Sequence, residues 1–284
     1  MRSTRITAAV AGVVLLVGGL SACNDGSKAS GSGGGGSDAA GGDKAAQGPV
    51  EALKAAKEAT AAKNSAKFDG TTETTTSNGR FKQTTKGGLD WSQGMQMNVE
   101  NTLTGDKSPT GGKPIKALYT QDAVYMNAGA AMPGAGGKPW VKYSYEALSK
   151  QMGASGTAVK DVLDNANPSQ PIDVLIASGT AKVVGKEKVN GVEATHYTGT
   201  VTMADLSKNL GKEIRDAVQK QLEQGGAKSE KLDLWIDGDN LLVKKEEHVA
   251  GKMPTDATAF YSDYGTKVSV EAPPASQTMT APAA

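Results

Sequence analysis

The residues from Ala66 onward predict an α+β domain built on one curved antiparallel sheet of about ten or eleven short strands, with helices on one face. Three observations carry this. Short runs alternate apolar and polar side chains at period two, as where Met95, Met97 and Val99 alternate with Gln96, Asn98 and Glu100. The turn sequences Asn78-Gly79, Asn190-Gly191 and Asp237-Gly-Asp-Asn fall between such runs. Two stretches, about 143–178 and 203–225, replace the alternation with helical spacing and glycine or proline breakers.

Taken in order, the first element is a helix from Pro49 to about Asn64. Proline suits its first turn and Glu51 faces the positive end of its dipole. Its apolar side is thin (Val50, Leu53 and alanines), so it should lie on the domain without being central to it. Residues 66–76 and 80–91 are Thr-rich and flank the Asn78-Gly79 hairpin turn. Met95 to Val99, Ile115 to Tyr119 and Ala123 to Met126 extend a meander with one apolar and one wet face. The glycine-rich loop Gly129 to Gly137 interrupts it, and Lys138-Pro-Trp-Val-Lys follows. Helical stretches then fall at Tyr145–Met152, Val159–Leu163 and Pro171–Ile176.

Strands resume at 181–189 and 192–202 around Asn190-Gly191. A second helical excursion begins near Met203, where Leu206, Leu210, Ile214, Val218 and Leu222 recur every four residues as one apolar stripe, with Gly211 dividing it. Lys231 to Ile236 alternates again, with Leu232, Leu234 and Ile236 on one face and Trp235 on the other. Leu241 to Val249, Ala257 to Tyr264 and Lys267 to Glu271 finish the sheet.

Ahead of this domain, Arg2 and Arg5 precede an uncharged run from Ile6 to Gly19 and then Leu20-Ser21-Ala22-Cys23. Basic residues, a short apolar run and a small-residue cleavage site make a secretory signal peptide over residues 1–22. The apolar run extends only about 21 Å as a helix, against about 30 Å of hydrocarbon, so a spanning anchor is excluded. Leu-Ser-Ala-Cys resembles the lipobox of bacterial lipoproteins. That resemblance implies a diacylglycerol on Cys23, the first residue of the mature chain, and a protein tethered to the outer face of the cell membrane. Two acyl chains at about 0.8 kcal/mol per buried methylene suffice for stable anchoring. Cys23 is the single cysteine, so no disulfide and no thiolate metal site can form within the chain.

Residues 23–48 are mostly Gly, Ser and Ala and read as a flexible tether. Residues 274–284, mostly Pro, Ala, Ser and Thr, read as a disordered tail, which leaves 49–273 as the folded domain. Without residues 1–22 the chain carries 29 basic and 30 acidic residues. That balance gives no electrostatic basis for binding nucleic acid.

Four stretches, in order, resemble the LppX/LprG type of actinobacterial lipoprotein within the LolA-like superfamily. They are Ala117-Leu-Tyr and Asp122-Ala-Val-Tyr with Lys138-Pro-Trp; Val184-Gly-Lys-Glu-Lys-Val-Asn-Gly-Val with His196-Tyr-Thr-Gly; Leu232-Asp-Leu-Trp-Ile-Asp; and Tyr261-Ser-Asp-Tyr-Gly-Thr-Lys-Val-Ser-Val-Glu-Ala-Pro. The resemblance implies a half-open barrel, a strongly curved antiparallel sheet whose concave face is covered by helices around an apolar cavity. It also implies a lipid or glycolipid ligand, carried outside the cytoplasmic membrane, and an envelope transport protein as partner. The chain departs from the family in having few large aliphatic residues on the Thr-rich pair at 71–85.

Catalytic signatures are absent: there is neither Gly-x-Ser-x-Gly nor Ser-x-x-Lys. His196 and His248 fall in strands with no second ligand at motif spacing, and read as solvated strand-face residues, so no metal and no cofactor is expected. Asp237-Gly-Asp-Asn lacks the later glycine and glutamate of a calcium loop and reads as a tight turn. The residues available to line a cavity are Met95, Met97, Val99, Leu118, Val124, Met126, Val201, Leu232, Leu234 and Ile236, with Leu206, Leu210, Ile214 and Val218 from the helical stripe. The same residues could instead fill a core. The first reading makes a lipid-binding lipoprotein, and the second a non-catalytic lipoprotein acting through contact with another envelope protein.

Overall fold

The computed structural model describes residues 48–281 apart from 78, 106–107, 109, 128, 130–136, 153–158, 161–162, 164–165, 203–214, 217, 220–221 and 224–225. The signal segment, Cys23 and the tether lie outside the described residues, as do Leu206, Leu210, Gly211 and Ile214 and most of the loop Gly129 to Gly137.

Among the described residues, twelve strands form one sheet in two meanders. The first comprises β1 (Ser65–Thr76), β2 (Gly79–Asp90), β3 (Gln96–Gly105), β4 (Ile115–Tyr119), β5 (Ala123–Asn127) and β6 (Trp140–Ser144). The second comprises β7 (Lys182–Val189), β8 (Val192–Thr202), β9 (Ser229–Asp237), β10 (Leu242–Val249) and β11 (Thr255–Ser262). Pairing of β1 with β11 joins them, giving the order β12-β6-β5-β4-β3-β2-β1-β11-β10-β9-β8-β7. Every pairing is antiparallel except that of β12 (Thr278–Thr280) with β6. The two edge strands, β12 and β7, do not pair, so the sheet is open.

Hairpin chemistry sets the registers. β1 and β2 pair without a slip from Ser65↔Asp90 to Thr76↔Gly79, and Gly79 takes a positive φ of 120° in the turn. After β9, the Asp237 carboxylate accepts from the backbone N–H of Asp239 at 3.0 Å and of Leu241 at 2.8 Å, which is the tight turn expected there.

Among the described residues, three continuous helices accompany the sheet: α1 (Pro49–Ala61), α2 (Tyr145–Met152) and α3 (Gln170–Ser178). The thin apolar side of α1 suggests a peripheral helix, but Leu53 and Ala56 are fully buried in the main core. Two polar contacts also tie α1 down. Lys57 pairs with Asp173 of α3 at 2.7 Å, and Thr60 Oγ1 accepts from the N–H of Leu242 at 3.2 Å. Proline in its first turn and a left-handed Gly179 at its end bound α3. Gly199 of β8 lets α3 approach closely, since a Cβ there would lie 2.5 Å from Leu175.

Two C-terminal expectations are corrected. Lys267 to Glu271 is not a strand: it crosses the outer side of the sheet in extended form. There Val268 packs on Gly88, and Asn98 Nδ2 donates to the Ser269 carbonyl at 2.8 Å. Residues 275–281 are not a structureless tail. A short 3₁₀ turn at Ala275–Gln277 leads into β12, which β6 accepts as an edge partner. Lys138 Nζ holds the carbonyls of Ala275 and Thr278 at 3.1 and 3.0 Å, and Ala281 is buried.

A cavity on the inner sheet face

Side chains on the inner face of the sheet surround a cavity of about 300 Å3. Seven adjacent strands, from β4 through β3, β2, β1, β11 and β10 to β9, contribute to it. Gln170, Pro171 and Val174 of α3, the preceding Ala166 and Asn167, and Val218 line it as well.

Period-two alternation decides which side chains point inward. Phe68, Gly70, Thr72 and Thr74 do so from β1, and Gln83, Thr85 and Leu89 from β2. β3 contributes Met97, Val99, Asn101 and Leu103, while Lys245 and Glu247 come from β10 and Ala257, Ala259 and Tyr261 from β11. The strand registers stack these side chains in rows across the sheet. One end is apolar: Phe68 sits opposite Gly87 and Tyr261, and Leu89 opposite Met97, which faces Tyr119. The next two rows are polar. Asn101, Thr85, Gly70, Ala259 and Lys245 are successive partners in the first; Gln83, Thr72, Ala257 and Glu247 are successive partners in the second.

Hydrogen bonds organise each end of this band. Gln83 Nε2 donates to Thr85 Oγ1 at 3.4 Å, and Thr85 Oγ1 donates to Asn101 Oδ1 at 2.7 Å. Asn101 is 3% exposed, and its Nδ2 makes no hydrogen bond of normal geometry. Burial pushes the neighbouring Tyr119 phenol up to about 12, and a hydrogen bond from the Asn101 amide, which faces the phenol oxygen, acts in the opposite direction. At the other end, Lys245 Nζ meets Glu247 Oε1 at 2.7 Å. Burial works to lower the Lys245 pKa, but the Glu247, Tyr261 and Glu230 oxygens outweigh it, so the ammonium is retained. Glu230, 4% exposed, has its carboxyl pushed up to about 8 by burial first and by the Glu247 carboxylate second.

Of the residues expected to line a cavity, Met97, Val99, Val218 and Leu232 do so. Met95, Val124, Val201, Leu234 and Ile236 belong to the main core without reaching the cavity, and Met126 packs against that core. Leu118 is a correction. Ala117 and Tyr119 take the inner face of β4, so period two places Leu118 outside, with Ala123, Tyr125, Trp140 and Val270. The polar liners Gln83, Thr85, Asn101, Glu230, Lys245 and Glu247 were not anticipated. The available signal was the alternation itself, which carries Met97 and Val99 on to Asn101.

The histidines lie elsewhere, and His196 is not simply solvated. It stacks on Trp235 with ring centroids 4.2 Å apart, and its Nε2 bonds Asp233 Oδ1 at 2.8 Å, because alternate residues of β9 place both groups beside it. His248 is exposed and pairs with Asp256 at 2.5 Å.

The fold is one already seen in a solved structure. The chain is similar to the crystal structure of LprF from Mycobacterium bovis, with a TM-score of 0.51 and 14% identity over 79% of this chain and 96% of LprF. No family model matches the chain. Among curated proteins it is 41% identical, over 81% of its length and 78% of the relative's, to the Streptomyces griseus "Uncharacterized 31.2 kDa protein in rplA-rplJ intergenic region". It is 32% identical, over 80% of its length and 73% of the relative's, to "Putative lipoprotein SCO4650" of Streptomyces coelicolor. The chain belongs to the family that these two Streptomyces proteins represent.

Proposed function

We propose that this protein is an extracytoplasmic lipoprotein, anchored through Cys23 to the outer face of the cell membrane, that takes the acyl chains of a lipid into the cavity. The observation that carries the reading is that β4 and β9, six strand spacings apart, line the same cavity. On a flat sheet they would stand about 29 Å apart at about 4.8 Å per strand. A common cavity supports a sheet bent into a half-open barrel, with α3 and the helical residues near Val218 over its concave face. The alternative of a filled core needs Met97, Val99, Leu232 and Val218 to close on one another, whereas here they surround about 300 Å3, a volume in the range of small-molecule sites.

Binding in such a site is burial without bond-making. About ten methylenes moved out of water are worth about 8 kcal/mol before ordering costs. The protein then acts as a non-catalytic carrier or holder, and the tether at 23–48 lets the domain reach away from the membrane. Native mass spectrometry of the full chain purified from a lipid-containing envelope tests this. A discrete added mass that disappears on organic extraction is expected. Lipid-free protein that also fails to take up fluorescent acyl lipids would sink the reading and leave a contact-making lipoprotein.

A further inference from the structure

Three ionisable groups meet inside the cavity, and their charges do not balance. Lys245 is the single cation among the described lining residues, whereas two carboxyls, Glu230 and Glu247, line the same cavity. Glu247 Oε1 lies 2.7 Å from Lys245 Nζ, so the ammonium is matched by one carboxylate and the second is in excess.

The second is Glu230, 4% exposed on the inner face of β9, one alternation before Leu232. What faces it does not make up the difference. From β10 come Glu247 and Lys245, and its strand partners are Val249 of β10 and Val201 of β8. Tyr261 of β11 stands against Lys245 and Glu247. On the helical side, Gln170, Pro171 and Val174 of α3 and Val218 line the cavity, and Arg215 is taken by Asp216 at 3.4 Å. Lys231, next in β9, pairs with Asp233 at 2.8 Å.

Water can solvate a third charge in an open cavity, but hydrocarbon cannot, and an unmatched carboxylate is strongly disfavoured there. A single proton on Glu230 removes the conflict, because Lys245 and Glu247 together carry no net charge. Burial and Glu247 already push the Glu230 carboxyl up to about 8, which is the same direction.

We propose that filling the cavity with acyl chains is coupled to the uptake of one proton by Glu230, so that the grip on the ligand weakens as the surroundings become more alkaline. The coupling rests on the lipid-holding reading and adds its regulation. By linkage the filled form holds the proton more tightly, so affinity is level while Glu230 is protonated in both forms and falls once the empty form has lost it. The test is uptake by the full chain, from phosphatidylcholine vesicles between pH 6 and 9.5, of a fluorescent long-chain hydrocarbon, which has no titrating group of its own. Affinity should be level to about pH 8 and then fall by up to about tenfold per pH unit. Calorimetry at pH 9 in two buffers of different ionisation heat should show about one proton taken up per probe. Glu230→Gln should abolish both the slope and the proton uptake. Glu247→Gln, which leaves Lys245 to balance Glu230, should do the same and serves where Glu230→Gln does not fold. A level profile in the unsubstituted chain, or a slope that survives both substitutions, overturns the coupling and leaves acyl-chain binding intact. Failure of the probe to enter at any pH overturns the lipid-holding reading itself.

Discussion

Glu230 sits in an environment far from what its type prefers. Its carboxyl has an ordinary value of 4.5 and is raised to about 8 in the fold by burial and by Glu247. Between those values the unfolded chain has lost the proton and the folded chain has kept it. The folded state is therefore fully favoured below about pH 4.5, loses stability as pH rises to about 8, and is flat above. Glu230→Gln removes this slope. Urea denaturation should find the variant more stable by on the order of a few kcal/mol at pH 8.5 and little changed at pH 4.5; equal shifts at both would mean that Glu230 does not titrate there. Neither Glu230 nor its partners stand out in the sequence. In the run Lys244-Lys245-Glu246-Glu247 every residue is charged, so alternation has no hydrophobic contrast to show. The structure nevertheless sorts them by period two: Lys245 and Glu247 line the cavity, while Lys244 lies over the outward Trp235 ring at 4.0 Å. Met97, Val99 and Leu232 were legible because hydrophobicity marks the inward face directly.

Helix α1 shows how far an element's importance can depart from its composition. Two residues on a thin apolar side, Leu53 and Ala56, are fully buried, and the helix is further tied to α3 and to β10. Leu53→Ala is expected to cost about 2–5 kcal/mol in urea denaturation, as for other large-to-small changes in a packed core. A loss under about 1 kcal/mol would return α1 to the peripheral role that its sequence suggests. The C-terminal segments make the same point in strand form. Lys267 to Glu271 has strand-like residues but lies across an already paired sheet and has no ladder to join. Thr278–Thr280, in a Pro/Ala/Thr-rich stretch, becomes a strand because β6 offers a free edge. Whether a short segment pairs depends on which edge is free beside it, and local propensity does not record that.

In the whole molecule, the cavity exists because inward residues of seven strands stop short of meeting one another. Filling it is therefore a direct test of where the ligand lies. Val99→Trp should abolish co-purifying lipid in native mass spectrometry and cost at most about 1–3 kcal/mol of stability as an overpacking change. Undiminished lipid on a folded variant would place the ligand elsewhere. The alternation and the hairpin turns determined most of the strands and the antiparallel pairing within hairpins, because neighbouring residues and short-range turns encode these. The proposed anchor at Cys23 rests on the Leu20-Ser21-Ala22-Cys23 motif, and the proposed tether on the composition of residues 23–48. Tertiary structure decided that α1 is central, that β12 completes the sheet, that Leu118 faces outward, and that Asn101, Lys245 and Glu247 share a cavity wall. Those facts depend on register between strands distant in the chain, and a polar side chain reads the same in sequence whether it faces water or the inside of a half-open sheet.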